Sequence, residues 1–190
     1  MLNRVTLRRG FTLIEILITL SIVGIVLALG APAFGAWIQN TQIRSAAESM
    51  LTGIKLARTE AAKSNCASHF QLTDTGGTLS TAGPYWLVVS DAFDDGAKVV
   101  CDPDQPTIVR SRVSVDGTAN AVYAASQDNT DFDSLGRIAG GLVVDVTNPT
   151  GGACVASSGP MRCLRIIVTA GGQARMCDPA VTDASDSRKC

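Results

Sequence analysis

The chain has 190 residues, of which 46% are hydrophobic, 17% charged and 5% aromatic, and its formal net charge is -1. This length is typical of one globular domain, and the near-neutral charge excludes the general basic excess of a phosphate-binding protein. Three arginines and no acidic residue lie at positions 1–10, so the remaining residues carry a net charge of -4. Positions 1–10 therefore form a short basic segment that differs from the rest of the chain.

An apolar stretch follows this basic segment and runs from Phe11 to Ala31. As a helix it would span about 30 Å, the thickness of the hydrocarbon core of a bilayer. The three preceding arginines predict a single transmembrane helix whose N-terminal end lies in the cytoplasm, with the rest of the chain exported. A cleavable signal peptide, which the small residues at 29–36 imitate, is the weaker alternative.

One charged residue, Glu15, lies inside the apolar stretch. An unpaired carboxylate in hydrocarbon is strongly unfavourable. An acidic residue in a membrane-spanning segment is therefore expected to pair with an opposite charge or a hydrogen-bond donor. A free amino group on a neighbouring copy would be such a partner, and cleavage of the chain after Gly10 would create it at Phe11. The sequence therefore predicts that Glu15 takes part in assembly.

The run from Arg9 to Glu15, with a basic leader before it and an apolar helix after it, resembles the class III signal of type IV pilins and type II secretion pseudopilins. The resemblance implies that residues 1–10 are a leader peptide, and that a prepilin peptidase cuts between Gly10 and Phe11 and methylates the new amine of Phe11. It implies that Glu15 guides docking into a filament. It further implies an inner-membrane protein with a periplasmic C-terminal domain, which joins a cell-surface pilus and contacts minor and major pilins through its N-terminal helix.

Pro32 follows the apolar stretch and also matches the pilin pattern. Proline lacks an amide donor and clashes with the preceding turn, so we expect a kink or local loosening before the helix resumes. Over residues 32–65, apolar side chains at spacings of three and four predict an amphipathic helix that packs on a sheet, with a coiled coil as the weaker alternative. The apolar stripe comprises Ile43, Ala46, Ala47, Met50, Ile54, Ala57 and Ala61.

After residue 65 the pattern changes to short apolar or alternating runs separated by Gly, Pro, Asp and Asn, which predicts about seven β-strands. Ala170-Gly171-Gly172 predicts a hairpin turn between the last two strands. A long helix followed only by strands predicts an α+β fold in which the helix covers one sheet face, with a disulfide-containing β domain at 66–190. The predicted strands lie at 67–72, 85–90, 107–115, 121–125, 141–146, 164–169 and 173–176.

Six cysteines, all after the apolar stretch, suit three disulfides in an oxidising compartment. Two pairs are close enough in sequence to form locally, and the third pair is assigned by elimination, although other connectivities stay open. The predicted disulfides are Cys154–Cys163, Cys177–Cys190 and Cys66–Cys101.

Nothing in the sequence predicts catalysis, a cofactor or a metal site, because none of the usual nucleotide, zinc or serine-hydrolase motifs is present. The acidic run around Asp91 and Asp94 partly imitates a calcium loop, but Phe93 occupies a position that needs an oxygen ligand, so a solvated turn is predicted. His69, the only histidine, is predicted in strand packing or at the surface. A disulfide at the nearby Cys66 would remove the thiolate that a Cys–His nucleophile needs.

Segments after the apolar stretch make the resemblance more specific, because they point to one group of pilins. Those at 46–48, 56–61, 86–91, 132–137 and 166–168 resemble the group that contains pseudopilin H and the minor pilins FimT and FimU, and the cysteine-rich ending resembles minor pilins of type IV pili. The resemblance implies a structural subunit, a minor pilin that helps to prime type IV pilus assembly in a tip complex. A type II secretion pseudopilin H and a FimT-like DNA receptor for natural transformation are the alternatives.

The sequence of the C-terminal hairpin helps to judge whether the chain is a DNA receptor. DNA-binding members of the group resemble one another in a basic Gly-Arg-x-Arg motif, whereas this chain has Gln173 in place of the first arginine and keeps only Arg175. Arg175, Arg188 and Lys189 are the residues available for DNA contact, and acidic residues lie among them. Since each lost phosphate contact weakens binding, DNA is predicted to bind weakly or not at all.

Overall fold

The computed structural model describes residues 11–94, 96, 98–112, 118 and 120–190, and at positions 29 and 31–33 it describes the backbone alone. The predicted leader with Gly10 lies outside the described residues, as do positions 113–115 of the third predicted strand. The chain divides into two compact units, the first ending at Trp37 and the second comprising Ile38–Cys190.

One continuous helix, α1, runs from Leu13 to Ser64. It ends before Asn65, which has a φ of 55°, the left-handed conformation that is common just after a helix. The backbone is helical through Pro32, and the kink or local loosening expected there stays a prediction. Within the part of the chain that the structure describes, we find no helix that is both long enough and apolar enough to span a bilayer. The span predicted over residues 11–31 is therefore not shown.

Eleven strands follow α1 in the described part of the chain, and all of their pairings are antiparallel. Sheet A contains, in spatial order, β6 (Thr107–Arg112), β3 (Tyr85–Ser90), β1 (Ser68–Thr73) and β8 (Asn129–Phe132). Sheet B contains β11 (Ala174–Cys177), β10 (Leu164–Val168), β9 (Leu142–Thr147), β7 (Val122–Ala125) and β2 (Ala82–Gly83). The short strands β4 (Ala92–Asp94) and β5 (Val99–Cys101) pair with each other and form a two-stranded arm.

The seven predicted strands correspond to β1, β3, β6, β7, β9, β10 and β11, and the predicted hairpin joins β10 to β11. The sequence analysis missed β2, β4 and β5, which are only two or three residues long. It also missed β8, whose residues Asn-Thr-Asp-Phe show no apolar alternation. This strand forms because it pairs with β1, from Ser68 opposite Phe132 to Gln71 opposite Asn129.

The second half of α1 packs on both sheets, where the sequence predicts packing on one sheet face. Gly53 lies against the Trp86 ring of β3, and a Cβ there would stand 2.6 Å from a ring carbon. The Tyr123 hydroxyl of β7 donates to the Ala46 carbonyl at 3.4 Å. All seven residues of the predicted stripe are fully buried, so the amphipathic helix and the α+β fold are confirmed: Ile43, Ala46, Ala47, Met50, Ile54, Ala57 and Ala61.

Three disulfides join the cysteines in the same pairs as the sequence predicts: Cys66–Cys101, Cys154–Cys163 and Cys177–Cys190. The first links Cys66, two residues after the end of α1, to β5, and the third links the end of the described chain to β11. The second closes a loop before β10, next to which the Arg162 amide donates to the Asn40 side chain of α1 at 2.7 Å. The first disulfide thus holds the two-stranded arm near the end of α1, the second closes a loop, and the third holds the tail on β11.

Candidate assembly segment and C-terminal hairpin

The first part of α1 exposes its apolar side chains to solvent. We call residues 11–37, the described part of the first compact unit, the assembly segment. Every large apolar side chain that the structure describes there is at least half exposed, from Phe11 to Trp37. Monomeric soluble proteins rarely expose contiguous apolar surfaces of this extent, so the assembly segment needs a partner.

Glu15 lies in the first turn of α1, exposed among these apolar side chains. Its amide donates to the Thr12 hydroxyl at 3.3 Å, so Thr12 caps the helix and satisfies one of its free amide groups. The sequence analysis missed this cap, although Thr12 followed three residues later by Glu15 is the usual signature of a capping box. The cap fixes where the helix begins, at Leu13.

The other predicted residues of this segment are only partly described. Gly10, on one side of the predicted cleavage site, lies outside the described residues. Phe11, on the other side, precedes the helix and is 81% exposed. At Pro32 the structure describes a helical backbone. Cleavage, methylation and the docking role of Glu15 therefore stay predictions.

Arg175, the predicted centre of any DNA contact, is occupied by the tail of the chain. Its guanidinium donates to the carbonyl of Lys189 at 3.1 Å and to that of Cys190 at 3.3 Å. The same tail is held to β11 by the Cys177 disulfide, and the Asp178 amide donates to the Arg188 carbonyl at 2.7 Å. Arg175 therefore helps to fix the tail on the sheet edge.

Three neighbouring arginines also have carboxylate partners. Arg188 is 2.6 Å from Asp186, and this hydrogen-bonded pair lowers the pKa of Asp186 to about 2. Arg165 donates two hydrogen bonds to the Asp145 carboxylate, at 2.7 and 2.9 Å, in a bidentate pair. Arg162 lies 3.7 Å from Asp178. Because these three positive charges lie beside negative ones, they weaken the positive potential of the hairpin and tail that would attract phosphates.

Arg58 of α1 is a further residue near the hairpin that the sequence analysis missed. It lies half-buried against two turns, one containing Gly136 and the other Gly172. A Cβ at Gly136 would stand 2.8 Å from Arg58 Cγ, and a Cβ at Gly172 would stand 1.8 Å from the Gly136 carbonyl oxygen. Both glycines also have positive φ, so they allow the two turns and the arginine to approach closely.

His69 lies in a cluster that the sequence analysis did not predict. Its Nδ1 is 2.7 Å from Asp131 of β8, and its Nε2 is 2.9 Å from Asp91, which follows β3. The disulfide at Cys66 leaves no thiolate beside it. No local signal identifies this cluster, because β1 brings the two carboxylates together only through its pairing with β3 and β8.

The acidic run near β4 forms local turns. Asp94 accepts a hydrogen bond from the Gly96 amide at 2.9 Å, and Asp102 accepts one from the Asp104 amide at 3.0 Å. Among the described residues, no group of three or more histidine, cysteine or acidic side chains is arranged to hold a metal ion. All six cysteines are in disulfides, so none offers a nucleophilic thiol.

Comparisons with known proteins agree with this arrangement. The family model described as the type II transport protein GspH matches residues 46–172, and the model of the prokaryotic N-terminal methylation motif matches residues 6–31. No curated protein shows significant similarity to the chain.

Among solved structures, the fold is similar to that of the type IV minor pilin FimU from Pseudomonas aeruginosa strain PAO1, with a TM-score of 0.51 and 13% identity over 74% of this chain and 91% of that one. A second crystal form of FimU gives a TM-score of 0.47 and 12% identity over 70% and 90% of the two chains. The family and the fold are those of structural pilin subunits rather than enzymes. Because the GspH model covers more than half of the chain, this protein belongs to the GspH family of the type IV pilin superfamily.

Proposed function

We propose that the protein is a minor pilin that joins other minor pilins in a tip complex and primes assembly of a type IV pilus. The observation that carries this proposal is the assembly segment, in which the large apolar side chains described are at least half exposed. Burial of apolar area contributes about 25 cal/mol per Å², so helices of neighbouring subunits that cover this segment would supply a large driving force for assembly. Its partners are thus the helices of minor and major pilins.

The proposal gives Glu15 a specific role in this packing. Its carboxylate is exposed one turn from Phe11, in otherwise apolar surroundings. When helices close around it, the carboxylate must lose water, and that is tolerated where an opposite charge pairs with it. Cleavage between Gly10 and Phe11 by a prepilin peptidase would place a methylated amine at Phe11 of a neighbouring subunit, and this amine would serve as the partner.

The proposal also places the chain in the inner membrane before assembly. The match to the N-terminal methylation motif and the three arginines before the apolar stretch support an anchored chain with its leader in the cytoplasm and its C-terminal domain in the periplasm. Mass spectrometry of the N-terminal peptide tests the processing step. We expect the mature chain to start at methylated Phe11, and a chain that keeps its leader in a peptidase-competent host would contradict this step.

Substitution of Glu15 tests the assembly role. We expect Glu15→Ala to insert in the membrane as well as the wild type, yet to reduce the number of surface pili by about tenfold or more, since about 1.4 kcal/mol of lost pairing corresponds to a factor of ten. Immunoblots of sheared pili and of membrane fractions measure both quantities. Glu48→Ala, which removes an exposed acidic residue of the second half of α1, is the matched control and should leave piliation unchanged. Normal piliation by Glu15→Ala would contradict the docking role.

A pseudopilin H of type II secretion is the second candidate, and the description of the matching family model favours it. Deletion of the gene separates the two candidates when surface piliation and export of a secreted enzyme are measured in the same strain. Loss of pili with normal secretion would support the minor pilin, whereas normal pili with lost secretion would support the pseudopilin. A DNA receptor is not favoured, because the arginines of the hairpin and tail, Arg162, Arg165, Arg175 and Arg188, already have partners.

A further inference from the structure

Two aromatic side chains, Phe34 and Trp37, lie at the end of the assembly segment. Their ring centroids are 5.7 Å apart, and each side chain is 62% exposed. Residues three apart on a helix lie on the same face, so the two rings form one exposed patch of α1. We call Phe34 and Trp37 the aromatic pair.

The helix surface that precedes the aromatic pair suits a hydrocarbon environment. In its middle, the exposed hydroxyls of Thr19 and Ser21 donate to carbonyls one turn earlier in α1, at 2.9 and 2.8 Å. A hydroxyl that is bonded within its own helix enters hydrocarbon without an unpaired donor. The sequence has no charged residue between Glu15 and Arg44. The only ionisable side chain of the assembly segment is therefore Glu15, at the opposite end from the aromatic pair.

The character of α1 changes directly after the aromatic pair. The second compact unit begins at Ile38, and the Asn40 side chain accepts a hydrogen bond from the Arg162 amide at 2.7 Å. The residues after the pair thus belong to a folded domain with polar contacts, and such a domain stays outside hydrocarbon. The aromatic pair marks the boundary along the chain between the apolar segment and this domain.

The distance along the helix places the aromatic pair at the level of lipid headgroups. Because a helix rises about 1.5 Å per residue, Phe34 and Trp37 lie about 4.5 Å and about 9 Å beyond Ala31, the predicted end of the hydrocarbon span. Helical side chains lean toward the N-terminus, which brings both rings back toward that span. Each headgroup layer is about 5 to 8 Å thick. Tryptophan is enriched in this layer, because its ring has a large apolar face and a polar edge.

We infer that the aromatic pair is a lipid-binding anchor, whose rings lie among the headgroups at the periplasmic face of the inner membrane before the chain joins a filament. The rings would contact the carbonyl groups and the upper acyl chains of the lipids. The pair would thereby fix how far α1 enters the bilayer. This inference rests on the proposed function, because it needs the chain to be anchored in the membrane.

Quenching of tryptophan fluorescence by brominated lipids tests the depth of the aromatic pair. The full-length chain is reconstituted into phosphatidylcholine vesicles that carry bromine either near the headgroup or near the end of the acyl chain. Its two tryptophans differ, since Trp37 is exposed whereas Trp86 is only 2% exposed inside the domain. Subtraction of the signal of Trp37→Phe from that of the unaltered chain therefore isolates Trp37. We expect the shallow bromines to quench Trp37 about twofold more than the deep ones.

Two further tryptophans, each introduced into the Trp37→Phe chain, provide matched controls. Ile22→Trp, in the middle of the apolar stretch, should be quenched about twofold more by the deep bromines. Gly35→Trp lies at the height of the aromatic pair but about 200° around the helix from Trp37. Apart from the adjoining helix, no described atom lies within 4 Å of a Cβ placed at Gly35. Because lipid surrounds every face of a helix, Gly35→Trp should show the same shallow quenching as Trp37.

Three results would overturn the inference while the chain floats with the vesicles. The first is stronger quenching of Trp37 by the deep bromines, and the second is a Trp37 that neither lipid quenches. The third is shallow quenching of Trp37 but not of Gly35→Trp, which would indicate a protein partner, such as a second copy, on one face. A chain that does not float with the vesicles, or an Ile22→Trp that the deep bromines do not quench, would instead refute the membrane anchoring in the proposed function, and the inference with it.

Discussion

The imidazole of His69 holds two carboxylates that come from different parts of the chain. Both ring nitrogens face carboxylate oxygens, those of Asp131 and Asp91, so the protonated ring, which donates from both nitrogens, is favoured. Burial alone would lower the pKa of His69, but the hydrogen bonds to the two carboxylates raise it above the usual 6.5. Because the pKa of His69 is higher in the folded state than in the unfolded state, protonation of the ring stabilises the fold at pH values below the unfolded-state pKa. This stabilisation is lost as the pH rises through the folded-state pKa.

We therefore expect His69→Gln to lower the free energy of unfolding by about 1 kcal/mol near pH 6 and by clearly less near pH 9. Denaturant unfolding of the full-length chain in detergent at both pH values measures the difference. Gln71→Ala, two residues along β1 with no titratable group, is the control and should have the same effect at both pH values. An equal loss at both pH values for His69→Gln would show that its charge does not stabilise the fold.

Gly172 gives a second prediction at the level of one residue. A methyl group there would collide with the Gly136 carbonyl oxygen, and its φ of +73° disfavours any other residue. We expect Gly172→Ala to destabilise the domain by roughly 2 to 3 kcal/mol, measured by thermal unfolding. Gly171→Ala is the matched control, because its nearest atom is 3.9 Å away, and it should change stability by less than about 0.5 kcal/mol. Similar losses for both variants would contradict the close-packing argument.

At the scale of elements, the β10–β11 hairpin and the tail behave as one electrostatic unit. Arg175 donates to tail carbonyls, and three other arginines are paired with carboxylates. We expect the protein to bind duplex DNA at physiological salt with a Kd weaker than about 100 µM, measured by fluorescence anisotropy. Micromolar binding that Arg175→Ala abolishes would contradict this expectation.

A gain of function serves as the control for that titration. Gln173→Arg restores the Gly-Arg-x-Arg pattern, and it should tighten binding and steepen the dependence of log K on log salt by about 0.9 for one added phosphate contact. If Gln173→Arg leaves binding undetectable, the paired carboxylates, rather than the missing arginine, are what keep DNA away.

The elements also differ in how far the sequence predicts them. The apolar stripe from Ile43 to Ala61 is a periodic signal within one helix, and its burial is as predicted. Cys154 and Cys163, only nine residues apart, pair locally. In contrast, β8 has polar residues typical of a turn and becomes a strand only beside β1. Local periodicity and proximity are visible in a sequence, whereas a pairing partner some 60 residues away is not.

At the scale of the whole molecule, the division of the chain after Trp37 predicts that solubility differs with and without the first compact unit. We expect a chain truncated to residues 38–190 to be a soluble monomer with all three disulfides, because it retains the buried stripe of α1, while the full chain needs detergent. Light scattering after size-exclusion chromatography and non-reducing peptide mapping measure both properties. A chain truncated to residues 52–190 is the control and should fail to fold, since it lacks Ile43, Ala46, Ala47 and Met50. Aggregation of the 38–190 chain would show that its core is incomplete without the first unit.

The sequence by itself determined the N-terminal motif, the helix with its buried stripe, seven of the strands and the α+β class. Each of these features depends on residues that are close together in the sequence, through their charge, their periodicity or their turn propensity. The tertiary structure alone decided that His69 bridges Asp91 and Asp131, that Arg58 lies between two glycine turns, and that Arg175 is occupied by the tail. These contacts depend on which strands pair and where the chain returns. Such choices are set by the packing of the whole domain rather than by any local pattern.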